Sequence, residues 1–328
     1  MPSSKFAEDY PSISVLMPVY NGAPFLREAI ESVLNQSRAE FEFLIVDDGS
    51  TDEAPSIIAS YAARDSRIKV LRQENRGPGA AMNAGLKACS GDWVFVMHGD
   101  DIMMPNRLER QVAFIRNNPQ LALVGAYVFL ISPKGKIIGE GRAAYIDVRV
   151  VQEVKNKGGI IGGLYHVAFS RSIGLSIGGF REDMTVNEDV DFYNRLLDAG
   201  HLLLIQPEFL MKYRVHASSA SVAKVLMIRK HWRYIKDEIF RRRAGLESRL
   251  FEAFIEAERK RPFFVRLNTQ RKDLAKFFYK QATLNFSFEH HLATILFGAL
   301  TFMLQPVFFC SQIFHKRPFT TRNGAHPQ

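Results

Sequence analysis

Residues 41–52 read Phe-Glu-Phe-Leu-Ile-Val-Asp-Asp-Gly-Ser-Thr-Asp, an apolar run that stops abruptly at carboxylates and turn formers. Such a run, short and rich in β-branched and aromatic residues, reads as a buried strand with a turn beyond it. Working outward, residues 13–17, 68–71 and 93–97 have the same character. Amphipathic stretches separate them. After Pro24, residues Phe25, Leu26, Ala29, Ile30, Val33 and Leu34 recur at helical spacing, and residues 108–115 repeat the arrangement after Pro105. Strands alternating with helices predict an α/β fold on a parallel sheet, whose ligands bind beyond the carboxyl ends of the strands.

Those positions are acidic. Asp47, Asp48 and Asp52 follow the second run, and His98-Gly99-Asp100-Asp101 follows the fourth. Carboxylates gathered at one sheet edge repel unless a cation or hydrogen-bond donors offset the repulsion. A divalent metal, Mn²⁺ or Mg²⁺, is the expected cofactor, bound through one or two carboxylates together with substrate phosphates.

Several motifs, in order from residue 11 to 221, resemble those of the family 2 glycosyltransferases. Met17-Pro18-Val19-Tyr20-Asn21 is similar to the family's P-x-Y-N opening, and Val46-Asp47-Asp48-Gly49-Ser50-Thr51-Asp52 to its V-D-D-G-S-T-D signature. Residues 75–86, from Asn75 through Gly79 to Asn83 and Leu86, resemble the N-x-G-x-x-x-A-R-N-x-G-L stretch, with Met82 where the family often has arginine. His98-Gly99-Asp100-Asp101 resembles D-x-D-D, with His98 replacing the first aspartate. Gly178-Gly179-Phe180-Arg181-Glu182 and Glu188-Asp189 resemble G-G-F-D-E and E-D-x-x-L-x-x-R, and Tyr213-Arg214-Val215-His216 begins a Y-R-x-H-x-x-S-x-S ending.

The resemblance implies a GT-A-like, Rossmann-related mixed sheet flanked by helices, and an inverting, metal-dependent glycosyltransferase of the hexosyltransferase type. Its donor would be a UDP-, GDP- or dTDP-linked sugar, and its acceptor a glycan or lipid-linked molecule of cell-surface polysaccharide synthesis. Asp189 is then the general base. Pro18, Tyr20, Asn21, Asp48, Asn75, Gly79, Asn83 and Asp100 contact the donor, with Tyr20 stacking on its base and Arg76 a substitute for the missing arginine. Asp101, His98 and His216 hold the metal. Glu188 and His166 lie on the acceptor side. A nucleotidyltransferase would share the carboxylates but needs a basic glycine-rich loop after the first strand, where Tyr20-Asn21-Gly22 stands, and a dinucleotide-binding oxidoreductase needs the G-x-G-x-x-G that is missing there. A degenerate protein that binds nucleotide sugar or lipid without turnover remains a third reading, prompted by His98 and Met82.

The 328 residues carry a net charge of +9, and its distribution is uneven. Residues 224–280 hold 17 Lys or Arg against 7 Asp or Glu, while residues 1–223 are net −3. Positive charge away from the acidic cluster argues against a nucleic-acid partner and for an anionic membrane surface. Val225, Ile228, Trp232, Ile235 and Ile239 recur at helical steps among cations, as in a basic amphipathic helix lying on a membrane. Residues 292–314 are mostly apolar and uncharged, interrupted by Gln305-Pro306, which suits a kinked or re-entrant element better than a span. The expected organisation is a catalytic domain over residues 1–221 and a helical, membrane-associating region over 222–328, a homo-oligomer interface being the other use of the apolar segment. The first dozen residues lack the apolar run of a secretory signal, so the expected location is the cytoplasmic side of the inner membrane. Cys89 and Cys310, far apart and without metal spacing, read as packing residues.

Overall fold

The computed structural model describes residues 10–142, 153–154, 159–164, 166–216, 224–287 and 290–315. These form two compact units, one taking the chain to residue 129 and again 140–214, the other 130–139 and the chain from 215 onward. The boundary expected at 221 lies outside the described residues.

In the first unit, β1 (Ile13–Val19), β2 (Glu42–Asp47), β3 (Ile68–Arg72) and β4 (Trp93–Val96) occupy the four apolar runs and pair in parallel in the order β3-β2-β1-β4. The parallel arrangement ends there. The order continues through β8 (Ala168–Ser170), β6 (Leu121–Ile131), β9 (Leu202–Arg214) and β5 (Ile102–Met103), with β7 (Ile137–Gly141) paired to β6. β8 is antiparallel to both β4 and β6, and β5 is antiparallel to β9, so the sheet is mixed. β3 is an edge strand and not a buried one, with Val70 46% exposed. Pro18 is tolerated inside β1 because the β4 ladder ends at the Leu16–Val96 pair, so the position lacking an N–H has no strand to bond.

α1 (Ala23–Leu34), α2 (Ala54–Ala62) and α3 (Pro78–Ala88) each carry a proline in the first turn, where a missing N–H is harmless. α1 buries Leu26, Ala29, Ile30 and Val33, the stripe read from the sequence. α4 (Arg107–Arg116), α5 (Arg171–Ser176) and α6 (Glu188–Asp198) complete this unit. The core joins Leu16, Val46, Leu86, Val96, Phe169, Phe180 and Phe192, and the Phe180 and Phe192 rings stack at 4.2 Å. That stack ties α6 to the loop before it. Each such side chain contributes about 1.5–3 kcal/mol on burial. Cys89 is part of this core, and burial pushes its thiol up to about 11, which makes it a packing residue and a poor nucleophile.

The second unit contains α7 (Val225–Arg243), α8 (Phe251–Arg259), α9 (Phe263–Ser287), α10 (His291–Leu304) and α11 (Pro306–His315). The apolar stripe expected on α7 is largely internal, with Ile228 and Trp232 half-buried. Val225, Tyr234, Ile235 and Ile239 are buried, His231 stacks on Phe251 at 4.2 Å, and the Tyr234 hydroxyl donates to the Arg249 carbonyl at 2.7 Å. Two of its arginines are engaged as well. Arg233 meets Asp273 at 2.5 Å and Glu258 at 3.3 Å, and Arg229 reaches Asp273 at 3.2 Å. The partners are supplied by α8 and α9, too far along the chain for sequence spacing to reveal them. No helix among the described residues is long and apolar enough to cross a membrane.

Candidate active site

The turns beyond β1, β2 and β3 are tied into one platform. Asp48 accepts from the Gln73 amide at 2.7 Å, the Arg76 N–H at 3.0 Å and the Gly77 N–H at 2.9 Å, so its carboxylate fixes the loop that opens α3. Gly49 has φ +76°, and a side chain there would put Cβ 2.7 Å from the Asn75 nitrogen. Only glycine fits. Asn21, at φ +50°, accepts from the Thr51 N–H at 2.8 Å and the Asp52 N–H at 3.3 Å, while its own N–H donates to the Ser50 hydroxyl at 3.0 Å. Asn21 and Asp48 thus hold loops together. Tyr20 is left 54% exposed at the end of β1, and Asn75 is exposed on the neighbouring loop. Pro18 lies below them, half-buried.

Beside this platform, α3 meets the 178–182 loop at backbone distance. A Cβ on Gly79 would approach the Arg181 carbonyl oxygen to 2.5 Å. Asn83 is buried, and its amide is taken up by protein partners: it donates to the Phe180 carbonyl at 2.8 Å and the Glu182 carboxylate at 3.0 Å, and accepts from the Phe180 N–H at 2.7 Å. The expected donor contact is therefore corrected to a clamp on that loop. Arg76 forms an ion pair with Glu182 at 2.7 Å, and Met82 is packed in the core, where an arginine would bury an uncompensated charge.

The turn after β4 carries the second cluster. Asp101 is 1% exposed, and its Oδ1 accepts from the Arg214 N–H of β9 at 2.6 Å. Its Oδ2 lies 2.8 Å from His166 Nε2 and 3.5 Å from His98 Nδ1, and the two imidazole centroids are 5.0 Å apart. Ligand atoms of the three side chains all fall within 4.8 Å of one another. Asp101 Oδ2 and both His166 nitrogens are buried without an aligned hydrogen bond. Buried polar atoms are almost always satisfied, so this set fits a metal ion, with two nitrogen donors and one carboxylate oxygen. His166 is corrected from the acceptor side to this cluster. β8 pairs with β4 and delivers it there, at φ +41°. His216 belongs to the second unit.

Desolvation opposes a charge on His98, but Asp101, then Asp100 and Glu188, outweigh it and hold its pKa at about 9. His166 is lowered, burial prevailing over the attraction of Asp101. Asp101 is lowered despite its burial, first by His166 and then by His98. The sequence did not reveal Arg107. Fully buried, it donates to the His166 carbonyl at 2.6 Å and the Val96 carbonyl at 3.1 Å, and so fixes the backbone on both sides of the cluster. Burial lowers its pKa to about 9. The available signal was a cation in the first turn of a helix, the end its dipole disfavours.

Asp189 stands in the first turn of α6, its carboxylate accepting from the Val190 N–H at 2.8 Å. Burial raises its pKa, against the Val190 hydrogen bond, the charge of His98 and the Tyr193 hydroxyl. The buried Tyr193 phenol is raised well above its ordinary value, by burial first and then by Asp189 and Glu188. Glu188 raises the His98 pKa and His98 lowers that of Asp189, so the start of α6 and the Asp101 cluster lie within reach of each other's charge. Asp191 faces away, buried against Arg195 at 2.6 Å.

Residues 14–138 match the family described as "Glycosyl transferase family 2". Over 210 residues the chain is 30% identical to an uncharacterized glycosyltransferase of Methanocaldococcus jannaschii, covering 63% of this chain and 72% of that protein. Staphylococcus aureus TarS 1–349, solved in complex with UDP-GlcNAc, aligns with a TM-score of 0.55 at 15% identity, over 90% of this chain and 92% of that one. The mannosyltransferase PcManGT of Pyrobaculum calidifontis, in complex with GDP-Man and Mn²⁺, aligns with a TM-score of 0.53 at 19% identity, over 90% and 82%. At such identities the two structures speak for the fold, which is GT-A-like.

Proposed function

The chain belongs to glycosyl transferase family 2, and on that premise we propose that it transfers a sugar with inversion from a nucleoside diphosphate donor to a glycan or lipid-linked acceptor at the cytoplasmic face of a membrane. The observation that carries this reading is the cluster of Asp101, His98 and His166 on the sheet edge, with ligand atoms within 4.8 Å of one another. Asp101 is held ionised between two imidazoles, whereas burial makes Asp189 a stronger base than an ordinary aspartate. A divalent ion, Mn²⁺ or Mg²⁺, supplies positive charge for the diphosphate leaving group when Asp101, His98 and His166 hold it. Two nitrogen donors favour Mn²⁺ over Mg²⁺.

Asp189 accepts the proton of the acceptor hydroxyl as that oxygen attacks the anomeric carbon opposite the diphosphate. The Val190 N–H and the Tyr193 hydroxyl keep the carboxylate aimed. Tyr20 presents a ring face to the donor base, and stacking contributes about 1–3 kcal/mol without selecting a base. UDP-, GDP- and dTDP-sugars are therefore all candidates; the TarS structure was solved with a UDP-sugar and the PcManGT structure with a GDP-sugar.

The test is a thermal-shift screen of these donors in Mn²⁺, followed by NMR of the transfer product. One nucleotide sugar should stabilise the fold by mass action, and its anomeric configuration should invert on transfer. Retention of configuration, or binding with neither transfer nor donor hydrolysis, contradicts the assignment.

A further inference from the structure

α10 is packed inside out for a helix in water. It buries Gly298 and Thr301, and exposes Leu292 at 86%, Ile295 at 68%, Leu296 at 58% and Met303 at 69%. These four recur at spacings that place them on one stripe, and Val307 of α11 is 83% exposed as well. Helices in water turn the large apolar stripe inward. Helices in lipid pack through small residues and threonine and leave large aliphatic side chains outside. The inward side has that character here: Gly298 lets the Phe309 ring approach to 3.6 Å of where a Cβ would stand, and Phe297 stacks on Phe278 of α9 at 6.0 Å.

Two further features fit the same solvent. The hydroxyls of Thr294, Thr301 and Ser311 donate to the carbonyls of His290, Phe297 and Phe308 at 3.0, 2.8 and 2.7 Å, so the helices satisfy them without water. Residues 292–314 include no charged side chain, while α9 carries five cations and one acid, with Arg266, Arg271 and Lys272 exposed. α10 spans 14 residues, about 21 Å, against a hydrocarbon core of about 30 Å. It is broken from α11 at Gln305-Pro306.

We infer that the outer stripe of α10, with Val307 of α11, inserts into one leaflet of an anionic membrane and seats the chain there without spanning it. This deepens the membrane-side reading above, since it names the surface that meets the lipid. The cations of α9 favour a lipid surface over a second copy of the same chain, whose cations would face their like.

The experiment is flotation of the full chain with phosphatidylcholine–phosphatidylglycerol vesicles, at low and at molar salt. The wild type should stay bound at molar salt, because burial of apolar area is not screened. The triple variant Ile295→Ser, Leu296→Ser, Met303→Ser should lose partitioning by roughly tenfold or more. Emission of an Ile295→Trp variant should be quenched by brominated lipid beyond the quenching seen in the wild type. Equal flotation of wild type and triple variant, an Ile295→Trp variant quenched no more than the wild type, or an oligomer that the triple variant dissolves while neither protein binds vesicles overturns the inference. Transfer to a soluble acceptor is measured alongside: vesicle binding without transfer refutes the catalytic reading alone, and transfer without vesicle binding refutes this inference and the membrane location while leaving the transferase reading intact.

Discussion

Among the described residues, the protein buries polar atoms around Asp101 that have no aligned hydrogen bond, and along α10 it exposes large apolar side chains. Each departs from the rule that water-soluble chains follow, and in opposite directions. Asp101 Oδ2 and the His166 nitrogens are enclosed, fixed on one side by the Arg214 N–H and on the other by Arg107. Such atoms are costly unless an ion completes them. On α10, Gly298 and Thr301 take the inside while Leu292 and Ile295 face out. An unfinished polar cluster and an uncovered apolar stripe thus point to different partners, a cation and a hydrocarbon.

The comparison breaks most sharply at Asp101. Asp101→Ala should lower Mn²⁺ affinity by about 100-fold or more, read by calorimetry, and abolish metal-dependent nucleotide binding, since ligand loss exceeds the roughly 10–100-fold cost of losing an outer-shell partner. Unchanged metal binding would remove the cluster from the account. Next in size, Asp189→Asn should cut turnover about 100-fold while nucleotide affinity is kept, because the base acts on the acceptor and not on the donor. A variant that retains near-normal transfer would place the base elsewhere.

The packing side is sharpened by two isoleucines. Ile235→Ala on α7, fully buried, should cost about 2–5 kcal/mol in denaturant unfolding. Ile295→Ser on α10 should change stability by no more than about 0.5 kcal/mol in water. If the two cost the same, α10 is an ordinary core helix. The smallest effect is in pH. Asp189 is raised in the folded state, so the stability linked to its protonated form is lost as pH rises through the folded value. At neutral pH, Asp189→Asn should therefore melt no lower than the wild type, and the acid limb of kcat/KM should lie above the ordinary aspartate value of about 3.9. A lower melting temperature, or a limb at the ordinary value, would show that burial does not tune this carboxylate.

Local pattern made the first half of the sheet readable, because β1, β2 and β4 are apolar runs that end at polar turns, and α1 and α4 lie where amphipathic spacing put them. The antiparallel half was not readable. Its strands pair across long intervals, as β8 does with β4, and no turn signal announces such a partner. The same limit explains the site. Asp101 and Asp189 stand in motifs, but His166 joins Asp101 only through that β8–β4 pairing, and Asn83 could be recognised as a clamp only once Phe180 and Glu182 were brought to its amide. In the tail, apolar residues at helical steps among cations read as a helix lying on a membrane. Asp273 and Glu258, distant in sequence, draw Arg229 and Arg233 into ion pairs within the second unit instead.

Two imidazoles and one carboxylate are expected to hold the metal, and pulsed electron paramagnetic resonance of Mn²⁺ in the full chain reads them out, since nitrogen ligands couple to the ion and oxygen ligands do not. The wild type should show couplings from two imidazole nitrogens, His98→Asp should show one, and Asp101→Ala should leave only aqueous Mn²⁺. A spectrum of oxygen ligands alone, identical in the wild type and His98→Asp, would contradict the account.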